Sequence, residues 1–278
     1  MFISVNGKLQ EAKSPAIMGG DRSYRYGDGL FETMKCVEGE VQLINYHFDR
    51  FFDSMEKMKI EWPRHLSSEQ LLEQVKLVCR KNEAHRYGRI RLSVSAGEGG
   101  LFEGDRKKAS HLIEAWPLSL EMAHLNSNGL TIGVYKDGRK SADGWSNLKS
   151  SSALLYSMAA IYARQQHWND SLLLNTENKI ADSCIANVFM VKDSRVFTPT
   201  LNDGCIAGIM RRLLLEKLQG WGYECEERSL TLADLENADE LFLTNAIRGI
   251  RWVKELEGKF YTNRVCTAIY KKLQTIWK

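Results

Sequence analysis

Apolar and polar positions along the chain repeat with two different periods, and these periods predict a mixture of strands and helices. Phe2–Val5 alternates like a strand, and the Asn6-Gly7 pair that follows readily adopts the positive φ angles of a tight turn. These residues predict an opening hairpin. Residues 31–37 and 41–44 flank a Glu-Gly-Glu turn and predict a second hairpin.

Two helices are predicted next, because apolar residues recur every three or four positions. The first begins at Asn45, a candidate N-cap, and ends before Pro63. The second begins where Ser67 and Gln70 have the spacing of a capping box. Further strands are predicted at 89–96, 110–116, 130–135, 171–174, 186–191, 223–228, 240–243 and 249–253, and further helices at 150–166, at 209–219 and at the end of the chain.

This order of elements predicts an α+β fold, and the chain length predicts two domains. The 278 residues are many for one compact core, since single cores tend to split at roughly 250–300 residues. The polar stretch 121–129 is the best candidate for a link. We therefore predict a small N-terminal α/β domain at 1–120, an interdomain linker at 121–129 and a C-terminal domain at 130–278.

Composition narrows the class of protein. Hydrophobic residues make up 44% and charged residues 26% of the chain, as in ordinary globular proteins. The formal net charge is +3 and the basic residues are scattered, so we expect no nucleic-acid partner. The six cysteines lack paired-ligand spacing, which favours free thiols over disulfides or a metal site. The first residues lack a leader pattern and no apolar run suits a membrane span, so we expect a cytoplasmic protein without membrane contact.

Four short motifs carry candidate chemistry, although each also has an ordinary structural interpretation. Lys149 precedes a predicted helix, where most lysines lie at the surface, but a desolvated lysine forms a Schiff base with a carbonyl cofactor. Gly208 begins a predicted helix, and helix N-termini bind phosphate. Asp182 is either a turn residue or the partner of a pyridinium nitrogen. Arg50 is either a surface cation or a phosphate clamp.

Taken in order, these motifs resemble the class IV aminotransferase family of fold-type IV pyridoxal 5'-phosphate (PLP) enzymes. That family contains branched-chain aminotransferases, D-amino-acid aminotransferases and aminodeoxychorismate lyases. The resemblance runs from about residue 2 to residue 253. Its blocks are DRSYRYGDGLFET at 21–33, HFDR at 47–50, NLK at 147–149, ANVF at 186–189, GIMR at 208–211 and TNA at 244–246.

The resemblance implies a fold and a set of roles. The fold is a small N-terminal α/β sandwich and a larger C-terminal pseudo-barrel with helices, usually assembled as a homodimer. Lys149 holds the cofactor as a Schiff base and acts as acid and base. The phosphate is held by Arg50, the amides of Ile209 and Met210, and Thr244. The substrate side is lined by Phe31, Arg91 and the amides of Asn245 and Ala246.

One position departs from the family pattern. The family normally has glutamate opposite the pyridine nitrogen, whereas this chain has Asp182, whose side chain is one methylene shorter. The charge is kept and the reach is reduced. A PLP-binding protein without turnover therefore stands as an alternative from another class.

Three features bear on the branch of the family. Thr33 follows Phe31-Glu32, where branched-chain aminotransferases typically carry glycine, and Leu154 stands five positions after the lysine, where they carry tyrosine. The loop 97–104 lacks the Arg-x-His pair of D-amino-acid aminotransferases. We therefore expect an aminodeoxychorismate lyase, which forms p-aminobenzoate and pyruvate, with an amino-acid transaminase as the alternative.

Overall fold

The computed structural model describes residues 1–102, 106 and 109–276, and its contacts divide the chain into two units. The first unit contains Met1–Glu121 and the separate segment Lys149–Ala153. The second contains Met122–Leu148 and Leu154–Lys278. The loop expected at 97–104 is described as far as residue 102, and residues 103 and 104 lie outside the described part.

A six-stranded antiparallel sheet with order β2-β1-β6-β5-β3-β4 forms the first unit. Its strands are β1 (Phe2–Val5), β2 (Lys8–Glu11), β3 (Gly29–Val37), β4 (Glu40–Val41), β5 (Tyr87–Ser95) and β6 (Ser110–Pro117). Its helices are α1 (Arg22–Tyr26), α2 (Ile44–Lys57) and α3 (Ser68–Lys81). Alternation along β3 buries Leu30, Met34 and Cys36, and β3 packs against α2. The opening hairpin is confirmed, with Asn6 and Gly7 at positive φ.

The start of α2 differs from the prediction. The predicted strand at 41–44 is wrong beyond Val41, and the N-cap is Leu43, in a left-handed conformation, rather than Asn45. No side chain caps this helix start, so the sequence lacks the usual signal. Burial of Phe51 and Met55 fixes the helix instead. The capping box of α3 is confirmed, because Ser67 and Gln70 exchange their hydrogen bonds.

A nine-stranded mixed sheet forms the second unit. The path is β12-β11-β10-β13-β14-β7-β8-β9, with β15 paired to β14, and the β14–β7, β7–β8 and β11–β12 pairs are parallel. The strands are β7 (Leu130–Val134), β8 (Asp170–Leu174), β9 (Ile180–Ser183), β10 (Asn187–Lys192), β11 (Arg195–Thr198), β12 (Cys225–Glu227), β13 (Glu240–Asn245), β14 (Gly249–Leu256) and β15 (Lys259–Phe260). The helices are α4 (Leu154–Gln165), α5 (Ile209–Leu218), α6 (Leu232–Glu236) and α7 (Arg264–Gln274).

Apolar side chains from this sheet form the core of the second unit. Ile132, Leu172, Val188 and Leu241 are fully buried within one cluster. Strands bury both alternating positions here, which explains the near-continuous apolar runs of β8 and β10. The predicted α+β class is confirmed by the two sheets and their helices. Within the described residues no helix is long and apolar enough to cross a membrane.

Two predictions around the candidate residues need correction. The helix predicted at 150–166 begins only at Leu154, so Lys149 does not lie at its entrance. Asp182 lies within β9, a strand that the sequence did not predict, and is therefore not a turn residue. The first error has a physical cause: the amide of Ser151 donates to the carbonyl of Gly29 at 2.8 Å, and Ser150 bridges Leu30. Pairing with β3 keeps this segment extended.

Candidate functional site

Lys149 belongs to the first unit, where its backbone is fixed against β3. The amide of Phe31 donates to the carbonyl of Lys149 at 3.0 Å. The ammonium Nζ lies 4.5 Å from the centroid of the Phe31 ring, and the side chain is half-buried. A lysine held on a strand edge beside an aromatic face presents its amine in a defined direction. The sequence-predicted pair Lys149 and Phe31 is thus brought together.

Arg91 contacts the same ring. Its guanidinium carbon is 3.7 Å from the Phe31 centroid, and Nε donates to the hydroxyl of Ser93 at 3.2 Å. Register pairing places Thr33 opposite Arg91 and Phe31 opposite Ser93 on the β3–β5 ladder. Burial lowers the pKa of Arg91, and the nearby Glu114 carboxylate opposes that change. Phe31 therefore contacts two basic side chains, those of Arg91 and Lys149.

Arg50 meets a carboxylate that the sequence analysis did not assign a role. Its Nε and Nη2 donate to Oε1 and Oε2 of Glu32 at 2.7 and 2.6 Å. The imidazole Nδ1 of His47, one turn earlier on α2, contacts Glu32 Oε2 at 2.6 Å. Glu32 is 2% exposed, so this is a buried, bidentate ion pair. Two of the guanidinium nitrogens of Arg50 are therefore held in a fixed orientation.

The charges of this cluster depend on one another. Burial raises the pKa of Glu32, but Arg50 and His47 together lower it to about 2. Burial lowers the pKa of His47, and Glu32 opposes that change. The His47 Nε2 atom is buried and has no hydrogen-bond partner among the described residues. A neutral His47 that donates from Nδ1 to an ionised Glu32 satisfies these observations.

Asp182 is the corresponding buried carboxylate of the second unit. The Tyr156 hydroxyl and the Ile206 amide donate to its Oδ2 at 2.8 and 2.9 Å, and the Asn187 amide group donates to Oδ1 at 2.9 Å. The side chain is 2% exposed. An ionised carboxylate is an acceptor only, with about four acceptor positions. All three of these contacts are donors to Asp182, and none of the three carries a formal charge.

A cation, Lys140, lies in the neighbourhood of Asp182. Lys140 is buried, donates to the Ser146 carbonyl at 2.8 Å, and places its Nζ 5.6 Å from the Tyr156 ring centroid. Burial lowers the pKa of Lys140, and the charge of Asp182 opposes that change. Burial and then Asp182 raise the pKa of Tyr156 far above its usual range. Tyr156 is therefore a neutral donor at any physiological pH.

Asn187 connects Asp182 to the other predicted positions of the second unit. Its side-chain amide donates to Asp182 and to the Ile206 carbonyl at 2.8 Å. A Cβ at position 208 would lie 1.8 Å from Asn187 Oδ1, so glycine is required there. The space beside Gly208 is thus filled by Asn187, a reason that differs from the backbone approach expected from the sequence. On the sheet, Asn187 pairs directly with Thr244.

Thr244 and the start of α5 carry polar groups of the type that binds anions. The Thr244 hydroxyl is buried and has no partner among the described residues. Ile209 and Met210 are the first two residues of α5, with Gly208 as N-cap, so their N–H groups have no acceptor within the helix. Such N–H groups and the helix dipole favour a phosphate.

Asn245 and Ala246 lie where β13 turns into β14. The Asn245 Oδ1 atom accepts hydrogen bonds from the amides of Ile247 and Arg248, at 3.1 and 2.8 Å, and so shapes this turn. Thr244, one residue earlier, is the last fully buried residue of the strand. The two predicted substrate-side amides therefore follow directly after the predicted phosphate ligand.

Each unit brings its own predicted residues together, and four participants were missed. Arg50, Phe31, Arg91 and Lys149 lie in the first unit, and Asp182, Ile209, Met210, Thr244, Asn245 and Ala246 lie in the second. The missed residues are Glu32, His47, Lys140 and Tyr156. The Phe31-Glu32-Thr33 and HFDR blocks contained the first two, so a buried acid–base pair was within reach of the sequence. No sequence signal pointed to Lys140 or Tyr156.

Comparisons with known proteins agree with this geometry. The family described as amino-transferase class IV matches residues 29–256. A Bacillus subtilis protein named aminodeoxychorismate lyase is 28% identical, covering 100% of this chain and 94% of that protein. A Methanocaldococcus jannaschii protein provisionally named a branched-chain-amino-acid aminotransferase is 30% identical, covering 100% and 96%. A Legionella pneumophila crystal structure, provisionally named 4-amino-4-deoxychorismate lyase, superposes with a TM-score of 0.85 at 26% identity, covering 95% and 97%.

Proposed function

Because the chain belongs to the amino-transferase class IV family of PLP-dependent enzymes, we propose that it binds PLP on Lys149 and acts as an aminodeoxychorismate lyase. The observation that carries the cofactor proposal is the buried Thr244 hydroxyl, which has no partner among the described residues. A buried polar group without a partner costs free energy, and a phosphate oxygen would remove that cost. The family pattern expects the phosphate at this same residue.

The proposal assigns the cofactor to further residues of the family pattern. Arg50, oriented by Glu32, and the amides of Ile209 and Met210 are donors for the phosphate. Asp182 supplies a carboxylate for the ring nitrogen. When bound, PLP supplies an aldehyde for the substrate amine and a ring that takes up the electron pair left by a departing proton.

The chain's own residues account for the remaining steps. Lys149 would hold the cofactor, and once the substrate amine had replaced it, the freed Lys149 amine would take the proton from the ring carbon that bears the substrate's amino group. Asp182 keeps a proton at the cofactor's ring nitrogen. In the lyase reaction the C–O bond to the enolpyruvyl group then breaks, and a proton returned to that group gives pyruvate. The six-membered ring becomes aromatic as p-aminobenzoate.

Two observations favour the lyase over a transaminase. Leu154 stands where branched-chain members carry tyrosine, and it is 74% exposed. The nearest tyrosine, Tyr156, is engaged with Asp182. The Bacillus relative and the Legionella structure both bear the lyase name. The alternative is an amino-acid transaminase with a 2-oxo-acid acceptor, which the name of the Methanocaldococcus relative supports.

Absorbance of the purified protein tests the cofactor. After incubation with PLP we expect an absorbance band at the edge of the visible range, and we expect the Lys149→Ala protein to lack this band. Lys136→Ala changes a lysine that is exposed to solvent and serves as the control. A band that survives in the Lys149→Ala protein would refute the assignment. A band that responds to no amine donor would favour the PLP-binding protein without turnover.

Product analysis tests the reaction. With aminodeoxychorismate we expect equal amounts of p-aminobenzoate and pyruvate. With amino acids and 2-oxoglutarate we expect no 2-oxo-acid product above the level of the Lys149→Ala protein. The opposite pattern would establish the transaminase and overturn the lyase.

We also propose a homodimer in the cytoplasm. The support is an exposed apolar stripe on α4, formed by Leu154, Met158 and Ile161 at helical spacing. Exposed apolar patches commonly mark association surfaces. Light scattering should give twice the chain mass for the wild type and the single mass for Met158→Glu. A wild-type monomer at micromolar concentration would refute the dimer.

A further inference from the structure

Asp182 is held by donors from three separate elements of the second unit. Tyr156 reaches it from α4, Asn187 from β10, and the Ile206 amide from the segment before α5. Two of these donors share Oδ2, and the third binds Oδ1. A carboxylate with donors on both oxygens, coming from different directions, cannot rotate about its Cβ–Cγ bond without losing a hydrogen bond.

Resting on the proposed function, we propose that Tyr156 is a positioning residue that orients Asp182 towards the ring nitrogen of PLP. The family's glutamate is replaced by a side chain that is one methylene shorter. The shorter side chain has one rotatable bond fewer, so fixing its orientation costs less conformational entropy. The hydroxyl of Tyr156 supplies that fixation from outside the strand on which Asp182 lies.

The surroundings of Tyr156 suit this role. Its hydroxyl remains protonated, because burial and the charge of Asp182 both raise its pKa. It therefore donates a charge-assisted hydrogen bond, which is stronger than one between neutral groups. Lys140 is buried with its Nζ 5.6 Å from the Tyr156 ring centroid, and the charge of Asp182 opposes the lowering of its pKa by burial. Asp182 thus receives a neutral donor and a nearby cation from residues that no family motif contains.

A second tyrosine on the same helix separates positioning from packing. Tyr162 and Tyr156 both pack against the cluster of Tyr135, Ala159, Leu173 and Cys184. Tyr162 makes edge contacts with the rings of Tyr135 and Trp168. Loss of either hydroxyl therefore removes one oxygen atom from a similar environment, but only Tyr156→Phe removes a donor from Asp182.

The experiment compares two cofactors and three proteins. Dissociation constants are measured for PLP and for a deaza analogue in which a C–H group replaces the ring nitrogen. The proteins are wild type, Tyr156→Phe and Tyr162→Phe. We expect Tyr156→Phe to weaken PLP binding about 10-fold and to leave binding of the deaza analogue unchanged within about 2-fold. Tyr162→Phe should change neither constant.

Each outcome decides the role of Tyr156. Equal weakening for both cofactors would assign Tyr156 to packing and overturn the positioning role, and so would no weakening at all. A wild type that binds neither compound would instead refute the proposed function itself. If apo Tyr156→Phe does not fold, Tyr156→Met replaces it, since the flexible methionine side chain fills the same apolar space. The same selective loss for PLP is expected from that variant.

Discussion

Glu32 and Asp182 are two carboxylates with the same burial and different hydrogen-bond donors. Each is 2% exposed and accepts at least three hydrogen bonds. Glu32 receives them from Arg50 and His47, so a cation within hydrogen-bond distance already compensates its charge. Three donors to Asp182 are a phenol, a carboxamide and a backbone amide. Glu32 therefore orients Arg50, whereas Asp182 is itself oriented by neutral donors, with Lys140 as a nearby cation.

The largest expected effect is the loss of stability in Glu32→Gln. The substitution removes a negative partner of Arg50 from a buried ion pair, and such a removal costs about 3–5 kcal/mol. Urea denaturation of the apo protein measures this loss. Glu40→Gln is the matched control, because the Glu40–Lys76 pair lies at the surface and is worth at most about 1 kcal/mol. Similar losses in the two variants would contradict the structural role of Glu32.

Asp182→Asn should affect turnover more than stability. We expect about 100-fold lower turnover in the holoenzyme, because the ring nitrogen loses its carboxylate. Asp170→Asn is the control: Asp170 is also buried and accepts from neutral donors, among them the amides of Ser171 and Cys184. That variant should lose stability and keep its preference for PLP over the deaza analogue. If both variants lost the preference for PLP over the deaza analogue, the role assigned to Asp182 would be contradicted.

The pH dependence of stability sharpens the comparison further. The folded pKa of His47 lies below 6.5, so the unfolded chain binds more protons below that pH and stability falls. The folded pKa of Glu32 is about 2, against 4.5 unfolded, so its contribution is lost between pH 4.5 and about 2. His47→Asn keeps a donor near the position of Nδ1 and removes the titration. We expect this variant to lack the first decline, which has a slope of up to about 1.4 kcal/mol per pH unit. Chemical denaturation between pH 7 and pH 5 measures it, and parallel curves would refute it.

The smallest expected effect is that of Thr244→Val. The hydroxyl has no hydrogen-bond partner in the part of the chain that the structure describes, so replacing it by a methyl group should leave stability unchanged or raise it by about 1 kcal/mol. PLP affinity should fall about 10-fold. Thr198→Val is the control, because the buried Thr198 hydroxyl donates to the Val188 carbonyl at 2.7 Å. There we expect a loss of about 1 kcal/mol and no change in PLP affinity. The reverse result would remove Thr244 from the phosphate site.

The sequence predicted those parts of the fold and site that local patterns encode. The capping box of α3 and the Asn6-Gly7 hairpin carry their own signals, so they were predicted correctly. The start of α2 was not, because Leu43 has no capping signal and tertiary burial decides where the helix begins. The roles of Lys149 and Asp182 are predictions that rest on ordered motifs. Tyr156 was not predicted, because its contact with Asp182 depends on where α4 begins, and pairing with β3 delays that start to Leu154.

The placement of Lys149–Ala153 limits how this protein can be divided into fragments. These five residues belong by their contacts to the first unit, although the chain on both sides belongs to the second. A fragment that ends at residue 121 lacks the backbone groups that bond Gly29 and Phe31. Neither unit is therefore a portable module that recombination could exchange as one contiguous piece. A chimera with a relative must replace Lys149–Ala153 together with residues 1–121. Lys149 and the strand β3 beside it must therefore come from the same parent protein.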